Sequence, residues 1–207
     1  FRVFACPGSG KTFCIEHRYA YLVQQGVNSD NILVVTFSKS MADEMAGRIK
    51  STVPNANLDQ ISTIHALCYR ILTRWDSALP TYLWQVPKEW ELKKILDELI
   101  DKYWKSGDEK PGYAEVLSYI DYAKSNCITP DESFEFFARQ VGALYGKYLA
   151  SIRTDFDCHL ARLKQMTFSD MVYYMERALI TKPEFRMKWQ KRFTQVVIDE
   201  SQDCSFN

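Results

Sequence analysis

A glycine-rich segment near the start of this sequence, Gly8-Ser9-Gly10-Lys11-Thr12, limits the folds that the chain can adopt. Residues 1–4 before it fit a short strand, and residues 13–25 after it have helical periodicity. Such a strand-to-helix turn directs backbone N–H groups at an anion, while the lysine can reach β- and γ-phosphates and the threonine hydroxyl can ligate Mg²⁺. The segment predicts a nucleotide-phosphate loop; a chance turn rich in glycine and serine is the alternative.

An acidic segment, Asp199-Glu200-Ser201-Gln202-Asp203, directly follows a β-rich run at residues 195–199. Hydrolysis of a bound nucleotide needs one carboxylate that holds Mg²⁺ and another that orients or deprotonates the attacking water. Asp199 suits the first role and Glu200 suits the second, while Gln202 can hydrogen-bond to the γ-phosphate. A solvated acidic turn is the alternative interpretation.

Residues 1–75 alternate between strand and helix patterns. A β-rich run at residues 31–37 predicts a buried strand with a helix after it, and a second strand pattern at residues 60–64 precedes a helical pattern at residues 65–74. This alternation predicts an α/β fold with a doubly wound parallel sheet, which binds ligands at the carboxyl ends of its strands. The phosphate loop and the acidic segment both follow such strand ends.

From about residue 76 to residue 165 the strand patterns stop, and aromatic and aliphatic residues recur at helical spacing. The segment Thr129-Pro130-Asp131-Glu132 has the residue types of a helix start, and the apolar stripe after it predicts one helix that continues to about Lys164. The many aromatic residues fit a helical core; a base-stacking platform is the alternative.

Helical patterns at residues 169–180 and 183–192 then lead back to the strand before the acidic segment. We therefore expect a discontinuous nucleotide-binding core formed by residues 1–75 and 166–207. An all-α inserted subdomain, residues 76–165, interrupts it.

Charge and cysteine usage exclude several classes of protein. The 26 basic and 26 acidic residues give no net charge, which argues against a surface that is basic throughout, although residues 1–75 carry 8 basic against 5 acidic side chains. The 6 cysteines form no Cys-x-x-Cys pair, so a zinc site or a disulfide framework has little support. Because no apolar run suits a membrane span or a secretion signal, we expect an intracellular, cytoplasmic protein.

Several segments, taken in order along the chain, resemble motifs of superfamily-one helicases of the UvrD/Rep/PcrA group. After the phosphate loop, the resemblance covers a following helix, two segments that contact single-stranded DNA in the family, a short feature after the helical insertion, and the acidic motif. These are His17-Arg18-Tyr19-Ala20-Tyr21-Leu22, Val35-Thr36-Phe37-Ser38 with Ala42-Asp43-Glu44-Met45, Ser62-Thr63-Ile64-His65-Ala66-Leu67-Cys68, Thr167-Phe168-Ser169-Asp170 and Val197-Ile198-Asp199-Glu200-Ser201-Gln202-Asp203.

The resemblance implies a RecA-like P-loop NTPase core that uses ATP and Mg²⁺ to translocate along single-stranded DNA, typically 3′ to 5′, and to unwind duplex DNA at junctions. It implies that Phe37 and His65 contact DNA and that Arg18 belongs to the nucleotide-binding motif. A buried strand-end aromatic is the alternative for Phe37, and a helix-start histidine bonded to the backbone is the alternative for His65. The Cys6-Pro7 pair and Ser201 depart from the family pattern without removing a catalytic group.

In the family, ATP is held between two RecA-like domains. We therefore expect this chain to be a fragment whose partner is a C-terminal RecA-like domain and which has little turnover alone. Within the same lineage, a subunit of a recombination helicase–nuclease is an alternative. A P-loop kinase or transferase, or a binding module without turnover, would be a different class of protein.

Overall fold

The computed structural model describes residues 8–104 and 110–200. Over these ranges the chain forms three strands and nine α-helices. The strands are β1 (Ile32–Thr36), β2 (Ile61–Thr63) and β3 (Gln195–Ile198). The helices are α1 (Lys11–Gln24), α2 (Lys39–Thr52), α3 (Ile64–Arg70), α4 (Glu89–Tyr103), α5 (Tyr113–Ser125), α6 (Ser133–Val141), α7 (Ala143–Arg162), α8 (Phe168–Thr181) and α9 (Pro183–Arg192). The strand predicted at residues 1–4 and the predicted γ-phosphate contact Gln202 lie outside the described residues.

The three strands form a parallel sheet in the order β2-β1-β3. In the register, Val34 of the central strand lies opposite Ile61 on one side and Val197 on the other. All five residues of β1 are buried, as expected for the middle of a parallel sheet with helices on it. The α/β class and the strands predicted from residues 31–37, 60–64 and 195–199 are therefore confirmed.

Apolar side chains of α1 and α2 pack on one face of this sheet. Tyr19, Met45 and Ile49 are almost completely buried against Ile32 and Val34 of the central strand. These helical residues recur at the spacing that places them on one side of each helix. The packing fixes the start of α1 close to the edge of the sheet where the strands end.

The chain divides into two compact units. One consists of the segments up to Leu67 and from Leu179 onward and contains the parallel sheet; the other runs from Cys68 to Ala178 and is helical in its described part. In the helical unit, α4, α5, α6 and α7 share a core that includes Leu96, Ile120 and Phe156. The boundaries predicted from the sequence, at residues 75/76 and 165/166, stay predictions.

The single helix predicted from Thr129 to about Lys164 is wrong, because Gly142 divides it into α6 and α7. Gly142 has φ 86° and ψ 161°, a backbone conformation that an L side chain disfavours. The helix also begins later than predicted, at Ser133. In the turn before it, the Thr129 hydroxyl and N–H donate to the Glu132 carboxylate over 2.7 and 2.9 Å.

The two resulting helices pack closely at Gly146. A Cβ atom on this residue would lie 2.5 Å from the backbone nitrogen of Ala138 and 2.7 Å from its Cα atom. Such distances are far below van der Waals contact, and backbone atoms cannot move aside as a flexible side chain can. A glycine is therefore required where α7 crosses α6.

The helical unit also buries a cluster of charges that the sequence analysis did not identify. The Lys124 ammonium is completely buried and lies 2.7 Å from an Asp157 carboxylate oxygen and 2.6 Å from one of Asp170. Arg153, equally buried, donates to the Ser133 hydroxyl over 2.7 Å. Two cations facing two carboxylates balance one another, as buried charges must.

Asp170 connects this cluster to the Thr167-Phe168-Ser169-Asp170 segment. Its second carboxylate oxygen accepts from the Thr167 N–H and from the Thr167 hydroxyl, both at 2.9 Å. Thr167 thus caps the start of α8, and the Asp170 carboxylate in the first turn of α8 accepts from Thr167 in return. Such a reciprocal arrangement stabilises a helix start. The segment therefore has a structural role in fixing the start of α8.

None of the helices in the described part of the chain combines the length and the apolar character that a membrane span needs.

Candidate functional site

The phosphate loop reaches its helix through two glycines in the left-handed region. Gly8 has φ 79° and Gly10 has φ 86°, and α1 begins at Lys11 directly after them. Gly10 occupies the N-cap position, and its carbonyl accepts the helical hydrogen bond from the Cys14 N–H at 3.0 Å. The first N–H groups of a helix point away from its body and carry a partial positive charge, so this turn directs donors outward as an anion site requires.

The acidic segment is attached to the sheet by its backbone. The N–H of Asp199 donates to the carbonyl of Val35 at 2.8 Å, which extends the β1–β3 pairing by one residue. The Asp199 side chain is 7% exposed, and its Oδ1 accepts from the Glu200 N–H at 3.0 Å. The Asp199 carboxylate therefore has a fixed position at the end of β3.

Burial, hydrogen bonding and nearby charges shift the pKa of the Asp199 carboxyl in opposing directions. Burial raises the pKa of the carboxyl, and the negative charge of Glu200 adds to that effect. The backbone hydrogen bond from Glu200 and the positive charge of Lys11 act the other way. A carboxylate kept from water in this manner is stabilised by a nearby cation.

Glu200 turns back toward the phosphate loop. Its backbone has φ 48°, in the left-handed region that costs a non-glycine residue roughly 1–2 kcal/mol. Its Oε1 lies 3.5 Å from the Lys11 Nζ, and both side chains are about one quarter exposed, at 24% and 27%. The structure thus brings together the two segments that the sequence analysis had paired only by their chemistry.

Phe37 and His65 lie at the same edge of the sheet. Phe37 follows the end of β1 and His65 follows the end of β2, just as Asp199 follows β3, and the three strands are parallel. The Phe37 ring is 60% exposed, so the alternative of a buried strand-end aromatic is wrong. The Ser38 side chain accepts from the Met41 N–H at 3.3 Å and starts α2 immediately after this ring.

His65 is the second residue of α3, whose start is fixed by the Thr63 hydroxyl accepting from the Ala66 N–H at 3.2 Å. Partial removal from water lowers the pKa of the His65 imidazole. At neutral pH the ring is therefore mostly uncharged, so it suits stacking or a neutral hydrogen bond better than a phosphate ion pair.

The remaining predicted residues differ in how close they lie to this edge. Ser9 lies two residues before Lys11 in the loop, and Thr12 directly follows Lys11 in α1. Arg18 lies seven residues after Lys11 in α1, which is about 10 Å along the helix axis. Its guanidinium lies 5.6 Å from the centre of the Tyr21 ring, so its described contact is with the next helical turn.

Phe13, the residue directly after Thr12, is not among the site residues predicted from the sequence. Its ring is 57% exposed and lies 3.8 Å, centroid to centroid, from that of His17. An exposed ring beside a phosphate loop can stack on a planar group of a ligand. Its position could have identified it, because Phe13 is an apolar aromatic residue in the first turn of the helix that follows the loop.

The oxygen atoms at this edge suit Mg²⁺. That ion binds through one or two protein oxygens and keeps waters and substrate phosphates as its other ligands. The Thr12 hydroxyl and the buried Asp199 carboxylate are donors of that kind. Within residues 8–104 and 110–200, no group of three or more His, Cys, Asp or Glu side chains is arranged to hold a metal ion.

Comparison with known proteins gives a consistent result. The chain is 28% identical to the ATP-dependent DNA helicase PcrA of Bacillus subtilis over 98% of its length, and 29% identical to the putative ATP-dependent DNA helicase YjcD of the same organism over 98%. It is 26% identical to the ATP-dependent DNA helicase SRS2 of Saccharomyces cerevisiae over 99%.

The chain spans only 27% of that PcrA, 26% of YjcD and 19% of SRS2. The family model of the UvrD/REP helicase N-terminal domain matches residues 1–206. Because that model covers nearly the whole sequence, the chain belongs to the UvrD/REP helicase N-terminal domain family.

Proposed function

We propose that the chain is the ATP-binding and hydrolysing core of a DNA helicase or translocase that acts on single-stranded DNA and moves 3′ to 5′. The contact between Lys11 and Glu200 supports this proposal, because a lysine that can bind phosphate lies beside a carboxylate that can act on water. Phe37 and His65 lie at the same edge of the sheet. A RecA-like P-loop core is the fold that this arrangement supports.

The phosphate loop holds the nucleotide in this proposal. Gly8, Ser9 and Gly10 wrap the phosphates with their backbone, and the Lys11 ammonium binds the β- and γ-phosphate oxygens. The Thr12 hydroxyl and the Asp199 carboxylate would hold Mg²⁺. The ion would supply positive charge against the phosphates during transfer.

Glu200 is the catalytic base of the proposal. Its carboxylate orients the attacking water and accepts a proton from it, while Gln202 hydrogen-bonds to the γ-phosphate. The backbone of Glu200 is fixed by the hydrogen bond to Asp199 and by the pairing of Asp199 to the central strand. A base with such a fixed position contributes about 10²–10⁴ in rate.

Phe37 and His65 hold single-stranded DNA. An exposed ring stacks on any base, so a contact of this kind tolerates every sequence, as a translocase needs. Because these residues and the acidic segment leave neighbouring strands of one sheet, nucleotide state and DNA binding can be coupled through the sheet. Duplex junctions are the proposed substrates for unwinding.

The chain spans only 27%, 26% and 19% of these three relatives, so the rest of the motor is also a proposal. We infer that a second RecA-like domain closes the ATP site from the other side. The chain alone would then bind nucleotide and turn it over slowly.

The test uses the full-length protein and measures ATP hydrolysis with and without single-stranded DNA. Hydrolysis should be stimulated by single-stranded DNA, and Glu200→Gln should lower it by about 10²–10⁴-fold. The matched control is Glu135→Gln, an exposed carboxylate on α6 that pairs with Arg139 at 3.8 Å. Absence of stimulation by single-stranded DNA would contradict the proposal.

Polarity is tested on partial duplexes that carry a single-stranded tail at either the 3′ or the 5′ end. Preferential unwinding of the substrate with the 3′ tail on the tracking strand is the expected result. Neither a helicase–nuclease nor a kinase is favoured by the relatives. Phosphate transfer to a small molecule in place of water would bring back the kinase alternative.

A further inference from the structure

The Lys11–Glu200 contact has a consequence for nucleotide binding. These residues are 189 positions apart and come from the start of α1 and the end of β3. The contact is an ion pair at 3.5 Å between two side chains that are each about three quarters buried. In the proposed function, each of the two groups has a different partner once ATP is bound.

We propose that, without nucleotide, the Glu200 carboxylate pairs with the Lys11 ammonium where the phosphates would bind, so that ATP must displace Glu200 in order to bind. This inference rests on the proposed function of the site. Glu200 thus lowers nucleotide affinity, and its displacement releases the carboxylate to act on water. The same contact that weakens binding prevents the base from acting before the γ-phosphate is in place.

The charges at the site make the two states exclusive. An ammonium group that binds β- and γ-phosphate oxygens is surrounded by negative charge, and a carboxylate 3.5 Å away would be repelled by those phosphates. The triphosphate carries several negative charges and also accepts hydrogen bonds from the N–H groups of the loop. It therefore competes successfully with a single carboxylate for Lys11. Glu200 must therefore move when phosphates arrive.

The anchoring of Glu200 allows such movement of its side chain alone. Its backbone N–H remains bonded to Asp199 at 3.0 Å, and Asp199 remains bonded to Val35. The displacement consequently needs only rotation about the side-chain bonds of Glu200. Asp199, one residue earlier, keeps its position in both states.

The first measurement is the affinity for a non-hydrolysable, fluorescent ATP analogue in wild type and in Glu200→Gln. Neutralising Glu200 should tighten binding by about two- to fivefold, the scale of a partly exposed ion pair. The matched control Glu135→Gln removes the same charge from α6 and should leave the affinity unchanged. In a Lys11→Ala background the gain from Glu200→Gln should disappear.

The second measurement does not depend on affinity. A zero-length carbodiimide reagent joins a carboxylate to an amine only when the two are in contact, and mass spectrometry identifies the joined peptides. Lys11 and Glu200 should be joined in the nucleotide-free protein and protected by the ATP analogue. The exposed pair of Lys102 and Asp155, at 2.6 Å, is the internal reference and should be joined in both conditions.

The outcomes separate this inference from the proposed function. If the reference pair is joined and Lys11 and Glu200 are not, or if the analogue fails to protect them, the inference is overturned while DNA-stimulated hydrolysis can still stand. Equal or weaker analogue binding by Glu200→Gln overturns it as well. If no variant binds the analogue, both the proposed function and the displacement fail, even where the cross-link forms.

Discussion

The backbone N–H of Asp199 donates a 2.8 Å hydrogen bond to the carbonyl of Val35, which ties the acidic segment to the central strand of the sheet. Because Val35 is two residues before Phe37, the same short stretch of β1 supports both the proposed metal-binding carboxylate and the proposed base-stacking ring. The sheet is thus the common support of the proposed nucleotide and DNA sites.

Asp199→Asn should separate metal-dependent from metal-independent nucleotide binding. The asparagine keeps an oxygen that can accept from the Glu200 N–H, so the local backbone is preserved. ATP hydrolysis should fall by about 10²-fold or more, because the charge that stabilises the metal is lost. Nucleotide binding measured with Mg²⁺ and with a chelator checks this; an unchanged response to Mg²⁺ would contradict the role given to Asp199.

Phe37→Ala should weaken binding of single-stranded DNA by roughly 5- to 150-fold, the range that corresponds to about 1–3 kcal/mol for one stacked base. Fluorescence anisotropy with a labelled oligonucleotide measures the change. Phe37→Trp should retain most of the affinity, since it keeps a flat aromatic face. Phe134→Ala removes an exposed ring from α6 and serves as the control, and an equal loss in both alanine variants would argue against a specific contact.

Gly146→Ala should destabilise the α6–α7 pair by about 1–3 kcal/mol, because the new Cβ would meet the backbone of Ala138 at 2.5 Å. Gly47→Ala is the matched control: it lies within α2 and a Cβ there meets nothing within 4 Å. That substitution should stabilise the protein by about 0.5–1 kcal/mol through helix propensity. Urea unfolding of the two variants should show opposite signs.

Lys124→Met should be strongly destabilising, by about 3–5 kcal/mol, because it removes the buried ammonium that lies between the Asp157 and Asp170 carboxylates. Lys102→Met removes the ammonium from an exposed pair with Asp155 and should cost much less. Chemical unfolding of both variants makes the comparison. Similar losses would mean that the buried cluster contributes no more than a surface pair.

Asp121 should make stability depend on pH. Burial raises the pKa of its carboxyl, opposed by the Ser169 hydroxyl that donates to it at 2.6 Å and by Lys124. The pKa of this carboxyl in the folded protein lies above its value of about 3.9 in the unfolded chain, so the fold resists its ionisation. The free energy of unfolding therefore declines as the pH rises from the unfolded pKa to the folded pKa. Asp121→Asn lacks this decline.

The unfolding free energy of Asp121→Asn, relative to wild type, should therefore rise between pH 4 and pH 7. Glu98→Gln, at an exposed position on α4, is the control and should show no such rise. A constant difference between Asp121→Asn and wild type over this range would show that Asp121 ionises in the fold as it does in the unfolded chain.

Local structure and the residue types of the candidate site could be predicted from neighbours along the chain. β-rich runs separated by helical patterns specified β1, β2 and β3 to within a residue or two, and the glycines before Lys11 specified the turn into α1. These features depend on neighbours along the chain, through backbone conformation and periodicity. The pairing of the phosphate loop with the acidic segment was predictable from chemistry, although not its distance.

Contacts between residues far apart in the chain could not be predicted and became visible in the folded protein. The tertiary structure placed Glu200 against Lys11, buried Lys124 between Asp157 and Asp170, and brought Gly146 against Ala138. A lysine in a helical pattern resembles any surface lysine until its carboxylate partners are known. Gly142 was visible in the sequence as a glycine, but only the folded chain shows that its φ of 86° ends α6 and separates it from α7.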